Sequence, residues 1–239
     1  PFHPLNKYFP KSDKGMGVNY FEERIPSGLQ FSKMTFSNYS EYDKYFYRTD
    51  HHWNVRGACY GYEKIYQMIK IDFPDISPMN YCDFIEIKGL NFLGTYARES
   101  LFPVKPDIFE LIKVSLPPHS IFINGIEEMN DLQEDYYSGN FDHQKYANHY
   151  GIAFGSWKDS VEYYFPSNSE RNLLIIGSSY RKPIELLLAS HYQHTYTIDL
   201  RAEKNFSMSS FLVDHKVDDV LIMGENLVVY EENEWLIKP

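Results

Sequence analysis

The chain has 239 residues, and its 23 lysine and arginine residues against 33 aspartate and glutamate residues give a formal net charge of −10. This balance argues against a nucleic-acid partner, because contacts to phosphate groups need a basic face. The apolar content of 43% is typical of a globular protein, no apolar run approaches the roughly 18 residues that cross a bilayer, and we expect a single domain over residues 1–239.

The first 45 residues are rich in proline and glycine, so they predict no long helix or strand. We expect this N-terminal segment, residues 1–45, to wrap on the domain. The chain begins at Pro1 and shows neither the charged nor the apolar region of a signal peptide. We therefore interpret it as a processed or truncated chain, from which an export signal or an anchor could have been removed.

A helix is predicted to begin after Asn54. Apolar side chains recur there at spacings of three and four residues, which places them on one helical face, and asparagine is a favoured N-cap. Pro74 sets the end of this helix. Residues 50–53 then lie in the loop that enters the helix, and Cys59 either pairs with Cys82 or stays free.

Residues 78–166 predict little regular structure. Short strands are expected at 84–87 and 121–123, separated by glycine, proline, asparagine and acidic clusters. The acidic stretch 127–134 is interpreted as solvated surface. We expect the whole region to be an irregular insertion or a lid within the domain.

The last third of the chain predicts a parallel sheet. Residues 172–177 form a continuous apolar run, typical of a strand that is covered on both faces. A helix with Pro183 in its first turn follows, then a strand at 195–200, a helix near 207–215 and a strand at 218–224. This β-α-β-α-β order predicts an α/β fold in which the three parallel strands are neighbours and helices pack on the sheet.

A serine turn follows the first of these strands. Gly177, Ser178, Ser179 and Tyr180 lie at the carboxyl edge of the predicted sheet, where ligands bind in open α/β folds. Backbone N–H groups at the start of the next helix could stabilise an oxyanion, so a serine at this position fits a nucleophile. Serine is also a favoured N-cap, and the turn taken alone favours capping.

The loop TDHHWN, residues 49–54, concentrates a carboxylate and two imidazoles. Residues two apart in an extended segment point the same way, so Asp50 can bond Nδ1 of His52 and leave Nε2 to accept a serine proton. The alternatives are a loop network in which Asp50 caps backbone N–H groups, and a metal site of Asp50, His51 and His52. The residues alone favour the loop network over the triad and the triad over the metal site. Such a metal site would be completed by one of three further residues, Asp142, His143 or His149.

The segment YRTDHHWNVRGACYGY, residues 47–62, resembles the signature of the DHHW protein family, whose name is spelled by residues 50–53. Residues 173–201 resemble the strand, serine turn, helix and Ile-Asp-x-Arg strand of that family, and residues 218–227 resemble its closing strand. The resemblance implies an SGNH-hydrolase-like, flavodoxin-like fold related to alginate and cell-wall polysaccharide O-acetylation proteins. It also implies an Asp-x-His pair that precedes the serine, an order permuted relative to other SGNH hydrolases.

The same resemblance implies a triad of Asp50 as the orienting acid, His52 as the general base and Ser179 as the nucleophile. The family usually has aspartate where this chain has Ser178. Six further residues are implied at the oxyanion hole or the substrate: Gly155, Ser156, Tyr180, Arg201, Arg98 and Tyr96. Arg201 fits an ion pair with an acid such as Asp199 equally well.

The function that the resemblance implies is serine-dependent transfer of an acyl group, most simply acetyl, to or from a cell-surface or extracellular polysaccharide. The expected partners are a carbohydrate acceptor and an acyl donor, which a membrane acyl-transfer partner could supply. No cofactor or metal is required, and the expected location is extracytoplasmic. The residues leave transfer and hydrolysis open, because both proceed through the same acyl-serine. The alternative is a catalytically idle module that binds glycan or scaffolds a polysaccharide modification system.

Overall fold

The computed structural model of the chain describes residues 22–128, 133–156 and 160–224. The first 21 residues of the predicted N-terminal wrap lie outside the described residues. So do residues 129–132 of the acidic stretch and residues 225–227 of the segment that resembles the closing strand.

Short helices and strands are interspersed along the described chain. The α-helices are α1 (Tyr39–Tyr42), α2 (Val55–Asp72), α3 (Thr95–Ser100), α4 (Glu134–Tyr137), α5 (His149–Phe154), α6 (Glu185–Ala189) and α7 (Met208–Asp214). The strands are β1 (Asp83–Glu86), β2 (Glu110–Lys113), β3 (Ser120–Ile123), β4 (Ile126–Glu128), β5 (Val161–Tyr164), β6 (Asn172–Gly177), β7 (His194–Ile198) and β8 (Asp219–Met223). A 3-10 helix, Ser179–Ile184, contains Pro183 and leads directly into α6. None of the described helices has the length and apolar character to cross a bilayer.

Six strands form one mixed sheet in the order β4-β3-β5-β7-β6-β8. β6 pairs in parallel with β7 and with β8, so the prediction of three neighbouring parallel strands is confirmed. β5, β3 and β4 continue the sheet in antiparallel register. These three strands come from the region 78–166. β3 confirms the strand expected at 121–123, whereas β4 and β5 make this region more regular than the sequence predicts. β1 and β2 of the same region form a separate antiparallel pair.

β6 lies in the core, and every one of its residues is buried. Leu173 and Ile175 pack into a core shared with α2 and α6, whereas Leu174 and Ile176 pack into a second core on which α7 lies. Alternate side chains of this strand thus face two layers of helix, as the alternation of a strand requires. The two layers explain why residues 172–177 are a continuous apolar run.

α2 begins and ends where the sequence predicts. Asn54 is the N-cap, and its side-chain oxygen accepts the N–H groups of Arg56 and Gly57, each at 3.0 Å. The helix ends at Asp72, before Pro74. α2 contacts the 3-10 helix and α6, so it holds the loop 50–53 near the carboxyl end of β6.

Trp53 is buried where this loop meets α2. A Cβ added at Gly61 would lie 2.6 Å from the Trp53 ring, and one added at Gly57 would lie 2.2 Å from the carbonyl oxygen of Tyr45. Neither distance is possible without a shift of the loop. The two glycines therefore form a notch in α2, here called the glycine notch, that receives the tryptophan and the chain before it.

Cys59 and Cys82 form a disulfide bond. The sequence leaves open whether the two cysteines pair or stay free, and in the structure they are paired. The bond joins α2 to the residue just before β1. It closes a chain segment with a sequence separation of 23 residues. A loop of this size corresponds to a stabilisation of about 3 kcal/mol in the chain-entropy account.

Candidate active site

The candidate site forms at the carboxyl end of β6, where Ser178 follows the strand and Ser179 begins the 3-10 helix. Ser178 occupies the N-cap position, but its side chain makes no cap hydrogen bond, so the capping role that the turn suggests is not filled by that hydroxyl group. The Ser178 side chain is fully buried, whereas Ser179 is partly exposed. Of the two serines, Ser179 is the one that a reactant can reach.

Asp50, His52 and Ser179 form a continuous chain of hydrogen bonds. Nδ1 of His52 lies 2.6 Å from Oδ1 of Asp50, and Nε2 lies 2.7 Å from Oγ of Ser179. An ionised carboxylate only accepts hydrogen bonds, so Asp50 places the imidazole proton on Nδ1. Nε2 is then the acceptor that faces the serine hydroxyl group.

The carboxylate of Asp50 accepts hydrogen bonds from several N–H donors. Oδ1 also accepts the backbone N–H of His52 at 3.0 Å, and Oδ2 accepts that of Thr95 at 2.6 Å. Burial alone would raise the pKa of this carboxyl, but the hydrogen bond and charge of His52 and the two N–H donors hold the pKa below its usual value. The loop network and the triad geometry are therefore present together, since one carboxylate serves both.

A second layer of contacts holds the loop beneath Asp50. The carboxylate of Asp107 accepts both the N–H of Thr49, at 2.8 Å, and its hydroxyl group, at 2.7 Å. The same hydroxyl oxygen accepts the N–H of Gly94 at 3.0 Å. A Cβ added at Gly94 would lie only 2.2 Å from Cβ of Asp50, so glycine is what allows α3 to approach the carboxylate.

Both ring faces of His52 are covered. The ring of Tyr150 is stacked on it with centroids 3.8 Å apart and an interplanar angle of 14°, and the ring of His51 lies 3.9 Å away. The hydroxyl group of Tyr150 donates to the carbonyl oxygen of Ser179 at 3.2 Å. Sequence reasoning missed Tyr150, because the segment 150–157 points to the residues near its end.

A buried charge cluster lies behind the serine turn. Arg181 is fully buried, and its Nη1 donates to the carbonyl oxygen of Gly177 at 3.2 Å. Its Nε lies 2.6 Å from Oε1 of Glu185, and Nη1 lies 3.7 Å from Oδ2 of Asp199. Asp199 also binds Arg201 through two hydrogen bonds of 2.9 and 2.6 Å. Arg201 thus makes the ion pair that the sequence offers as its alternative role, at the same sheet edge as the serine turn.

Two of the other predicted residues lie on α3, the helix whose first residue donates its N–H to Asp50. Tyr96 is 55% exposed, with its ring 6.2 Å from the ring of His51. Arg98 donates from Nη2 to the hydroxyl group of Thr95 at 2.8 Å. Tyr96 therefore presents an accessible aromatic ring near the site, while Arg98 braces the first turn of α3.

The remaining predicted residues lie at the ends of neighbouring elements. Tyr180 is buried, donates a hydrogen bond to the carbonyl oxygen of His51 and packs edge-on against Trp53. Gly155 ends α5 with a φ of +86°, a conformation that favours glycine. Ser156 follows it, so both lie just beyond the helix that carries Tyr150.

Asp50, His51 and His52 are also the one group in the described ranges 22–128, 133–156 and 160–224 with three potential metal ligands, all within 4.8 Å of one another. The three further candidates, Asp142, His143 and His149, do not belong to it. Both nitrogens of His52 and both oxygens of Asp50 already take part in hydrogen bonds of 2.6 to 2.7 Å. A metal ion would have to break these bonds, so the geometry fits an acid–base chain better.

Solved structures similar to this chain agree with its fold, although no protein-family model and no curated protein matches it. A solved DHHW family protein from Eubacterium siraeum is 21% identical, with a TM-score of 0.58, over 81% of this chain and 63% of that protein. PatB1 from Bacillus cereus is 17% identical, with a TM-score of 0.65, over 95% of this chain and 76% of that protein, and it has also been solved with a sulfonyl adduct. The chain thus spans less than two thirds of the DHHW family protein, and at these identities the likeness shows the fold.

Proposed function

We propose that this chain is a serine-dependent acyl-transfer enzyme of SGNH-hydrolase-like type, in which the Asp-x-His pair precedes the serine. It moves an acyl group, most simply acetyl, to or from an extracytoplasmic polysaccharide. The observation that carries the proposal is the unbroken hydrogen-bond chain from Asp50 through His52 to Ser179. The likeness in fold to the DHHW family protein and to PatB1 supports it.

The first half-reaction forms an acyl-serine. Nε2 of His52 accepts the Ser179 hydroxyl proton while Oγ attacks the carbonyl carbon of the donor ester. The bond from that carbon to the donor oxygen then breaks, and the leaving oxygen takes the proton from the imidazolium. Asp50 stabilises the imidazolium throughout, because its carboxylate remains charged and bonded to Nδ1.

The second half-reaction reverses these proton movements. A sugar hydroxyl group, or water, gives its proton to Nε2 of His52 and attacks the acyl carbon. The bond to Oγ breaks, and Ser179 takes back its proton. Transfer and hydrolysis share every one of these steps, so which of the two occurs depends on whether the acceptor site excludes water. No cofactor or metal takes part.

The oxyanion donors in this proposal are the N–H groups of Ser179 and Gly155, with the Ser156 hydroxyl group as a third. The N–H of Ser179 lies in the first turn of the 3-10 helix, and N–H groups in a first turn have no acceptor within their own helix. Tyr96 offers the exposed ring on which a sugar can stack. Three further residues are proposed near the bound substrate: Arg98, Tyr180 and Arg201.

The disulfide bond between Cys59 and Cys82 supports an extracytoplasmic location, since such bonds form and persist in oxidising compartments. In that setting the partners are a carbohydrate acceptor and an acyl donor, which a membrane acyl-transfer partner could supply.

A reactive-serine probe tests the proposal. A fluorophosphonate or a sulfonyl fluoride should label the wild-type chain, and Ser179→Ala should abolish labelling together with hydrolysis of 4-nitrophenyl acetate. Ser178→Ala is the matched control, because it removes the neighbouring hydroxyl group, which is buried and makes no hydrogen bond within the described residues. The control should keep most of both activities.

Three outcomes would contradict the proposal in different ways. Equal labelling of the wild-type chain and Ser179→Ala would rule out Ser179 as the nucleophile. Loss of labelling in Ser178→Ala alone would assign the nucleophile to Ser178. A wild-type chain that neither labels nor hydrolyses the ester, yet binds an acetylated glycan, would favour the catalytically idle module.

A further inference from the structure

The general base is enclosed between two aromatic rings. The rings of Tyr150 and His51 lie 3.8 and 3.9 Å from the ring of His52, centroid to centroid. Two rings cannot share one face of an imidazole at these distances, so they cover opposite faces. The Tyr150 ring is the more parallel, at 14° against 37°, and the Tyr150 side chain is buried among Phe154, Trp53 and the serine turn.

Tyr150 is also bonded to the nucleophile's own residue. Its hydroxyl group donates to the carbonyl oxygen of Ser179 at 3.2 Å. One side chain therefore contacts the face of the base and the backbone of the nucleophile, although it comes from α5, a helix that carries neither residue. α5 therefore links His52 and Ser179 through this one side chain.

We propose that Tyr150 is a positioning residue that stabilises the protonated form of His52 and fixes its distance to Ser179. The inference rests on the proposed function, because it assigns His52 as the base. The face of an aromatic ring is negative, so it attracts a cation placed over it, most strongly where water is excluded. His52 becomes a cation when it takes the serine proton, and the parallel ring of Tyr150 is then in contact with that charge.

The other groups that face His52 define what else can change its titration. Asp50 and His51 come from its own loop, Ser179 and Tyr180 from the 3-10 helix, and Tyr150 from α5. Asp50 favours the imidazolium, whereas a proton on His51 would oppose it. Burial raises the pKa of the Tyr150 phenol well above its ordinary value, so this ring stays uncharged across the working pH range.

The test is a nitrogen-15 NMR titration of the His52 imidazole in the full chain, assigned with His52→Gln. Tyr150→Leu keeps an apolar side chain against the base but removes the π face, and we expect the pKa of His52 to fall by about one unit. Tyr150→Phe keeps the ring and should leave that pKa unchanged within a few tenths of a unit. Tyr150→Met removes the ring with a more flexible side chain and replaces the leucine variant if the latter does not fold.

Tyr136→Leu is the matched control. Tyr136 is another buried tyrosine, and its hydroxyl group bonds Nδ1 of His149 on α5 at 3.2 Å. Its loss loosens the same helix without touching His52, so the His52 titration should not move. A shift in this control as large as that of Tyr150→Leu would overturn the proposal, because a loosened helix would then explain both.

Turnover of 4-nitrophenyl acetate supplies the second measurement. Tyr150→Leu should lower kcat about tenfold with little change in KM, and the rise of kcat with pH should move to lower pH by the same one unit. An unchanged His52 titration in both ring-deleting variants would overturn the inference. The titration needs no turnover, so a pKa that moves in a chain whose serine does not label would refute the proposed function and leave the contact between Tyr150 and His52 established.

Discussion

Two buried histidines of this chain have almost the same hydrogen-bond geometry. His52 is 6% exposed and His191 is 3% exposed. Each uses both ring nitrogens, His52 at 2.6 and 2.7 Å and His191 at 2.6 and 2.7 Å. They differ in the partners: a carboxylate and a serine for His52, and the hydroxyl groups of Tyr62 and Ser77 for His191.

Burial holds His191 neutral at pH 7, because it lowers the pKa of the imidazole. The hydroxyl oxygen of Tyr62 accepts the backbone N–H of Asn80 at 3.0 Å and its side-chain N–H at 3.3 Å. Both acceptor positions of the oxygen are then used, so the hydroxyl group donates its own proton to Nε2 of His191, and Nδ1–H donates to Ser77. No carboxylate among the described residues contacts His191, and burial lowers its pKa to about 4. The comparison teaches that burial and full hydrogen bonding do not produce a base. In the proposed reaction, the Asp50 carboxylate is what allows the buried imidazole of His52 to take up a proton.

The largest expected effect comes from Asp50→Asn, which gives His52 neutral partners like those of His191. The amide can present N–H to the imidazole, so it favours the wrong tautomer and removes the charge that stabilises the imidazolium. We expect kcat for 4-nitrophenyl acetate to fall by about 10³-fold or more. The free energy of unfolding should change by only about 1 kcal/mol, because the amide oxygen can still accept the N–H of Thr95.

The control for this variant is Ser77→Ala, which removes a partner of the other histidine. Its kcat should stay within about twofold of the wild type, since His191 lies outside the proposed reaction. Near-normal turnover in Asp50→Asn would show that Asp50 only supports the loop.

The next effect concerns stability and His191. Its pKa is about 4 in the folded chain, against an ordinary value of 6.5 for histidine. The unfolded chain therefore binds an extra proton below about pH 6.5, and stability falls as the pH is lowered from that value to about 4. The contribution is about 3 kcal/mol at most, from about 1.4 kcal/mol per pKa unit.

Urea unfolding between pH 7 and 4.5 measures this contribution in the wild type and in His191→Gln, which cannot titrate. The carboxylate of Asp50 has a lowered pKa and stays charged over this window, so it cancels from the difference. The wild type should lose stability more steeply than the variant. Parallel curves would mean that His191 titrates alike in the folded and unfolded chains.

The smallest of the three effects comes from Gly94→Ala, which leaves the chemical groups of the proposed triad intact. The new Cβ would lie 2.2 Å from Cβ of Asp50, and neither atom can rotate away. Asp50 must move, and a displacement of about 1 Å at a reacting group costs about 10²-fold in rate. The low-field proton resonance of Nδ1–H in His52 should shift as well. An unchanged resonance with normal kcat would show that α3 yields instead of the carboxylate.

The parts of the fold that the sequence predicts are those in which the cause is local. Asn54 caps α2, Pro74 follows its end, and the run 172–177 is apolar because both faces of β6 are covered. In the loop 50–53, Asp50 and His52 are two residues apart, so the sequence allows this pair, although the residues alone favour a loop network. The contact of His52 with Ser179, by contrast, is implied by the family resemblance.

The parts that the sequence does not predict depend on distant residues. β4 and β5 are three and four residues long, too short to show alternation. β3 is expected at 121–123, but the register of all three strands is set by their neighbours in the sheet. Nothing near Tyr150 indicates that its ring lies on His52, because α5 and the loop 50–53 meet only in the folded chain. In the sequence Gly94 looks like an ordinary loop glycine, because its contact with Asp50 forms only in the folded chain.

The glycine notch of α2 has a consequence for recognising related chains. The Trp53 ring rests where Gly61 lacks a side chain, and the chain before it rests where Gly57 does. The four letters of the motif are therefore only the first part of a longer pattern, DHHW-x3-G-x3-G. A chain with the four letters but a bulky residue at either glycine would have to seat its tryptophan elsewhere, and the aspartate and histidine would move with it. Searching genomes with the extended pattern should separate chains that can build this loop from chains that match four letters by chance.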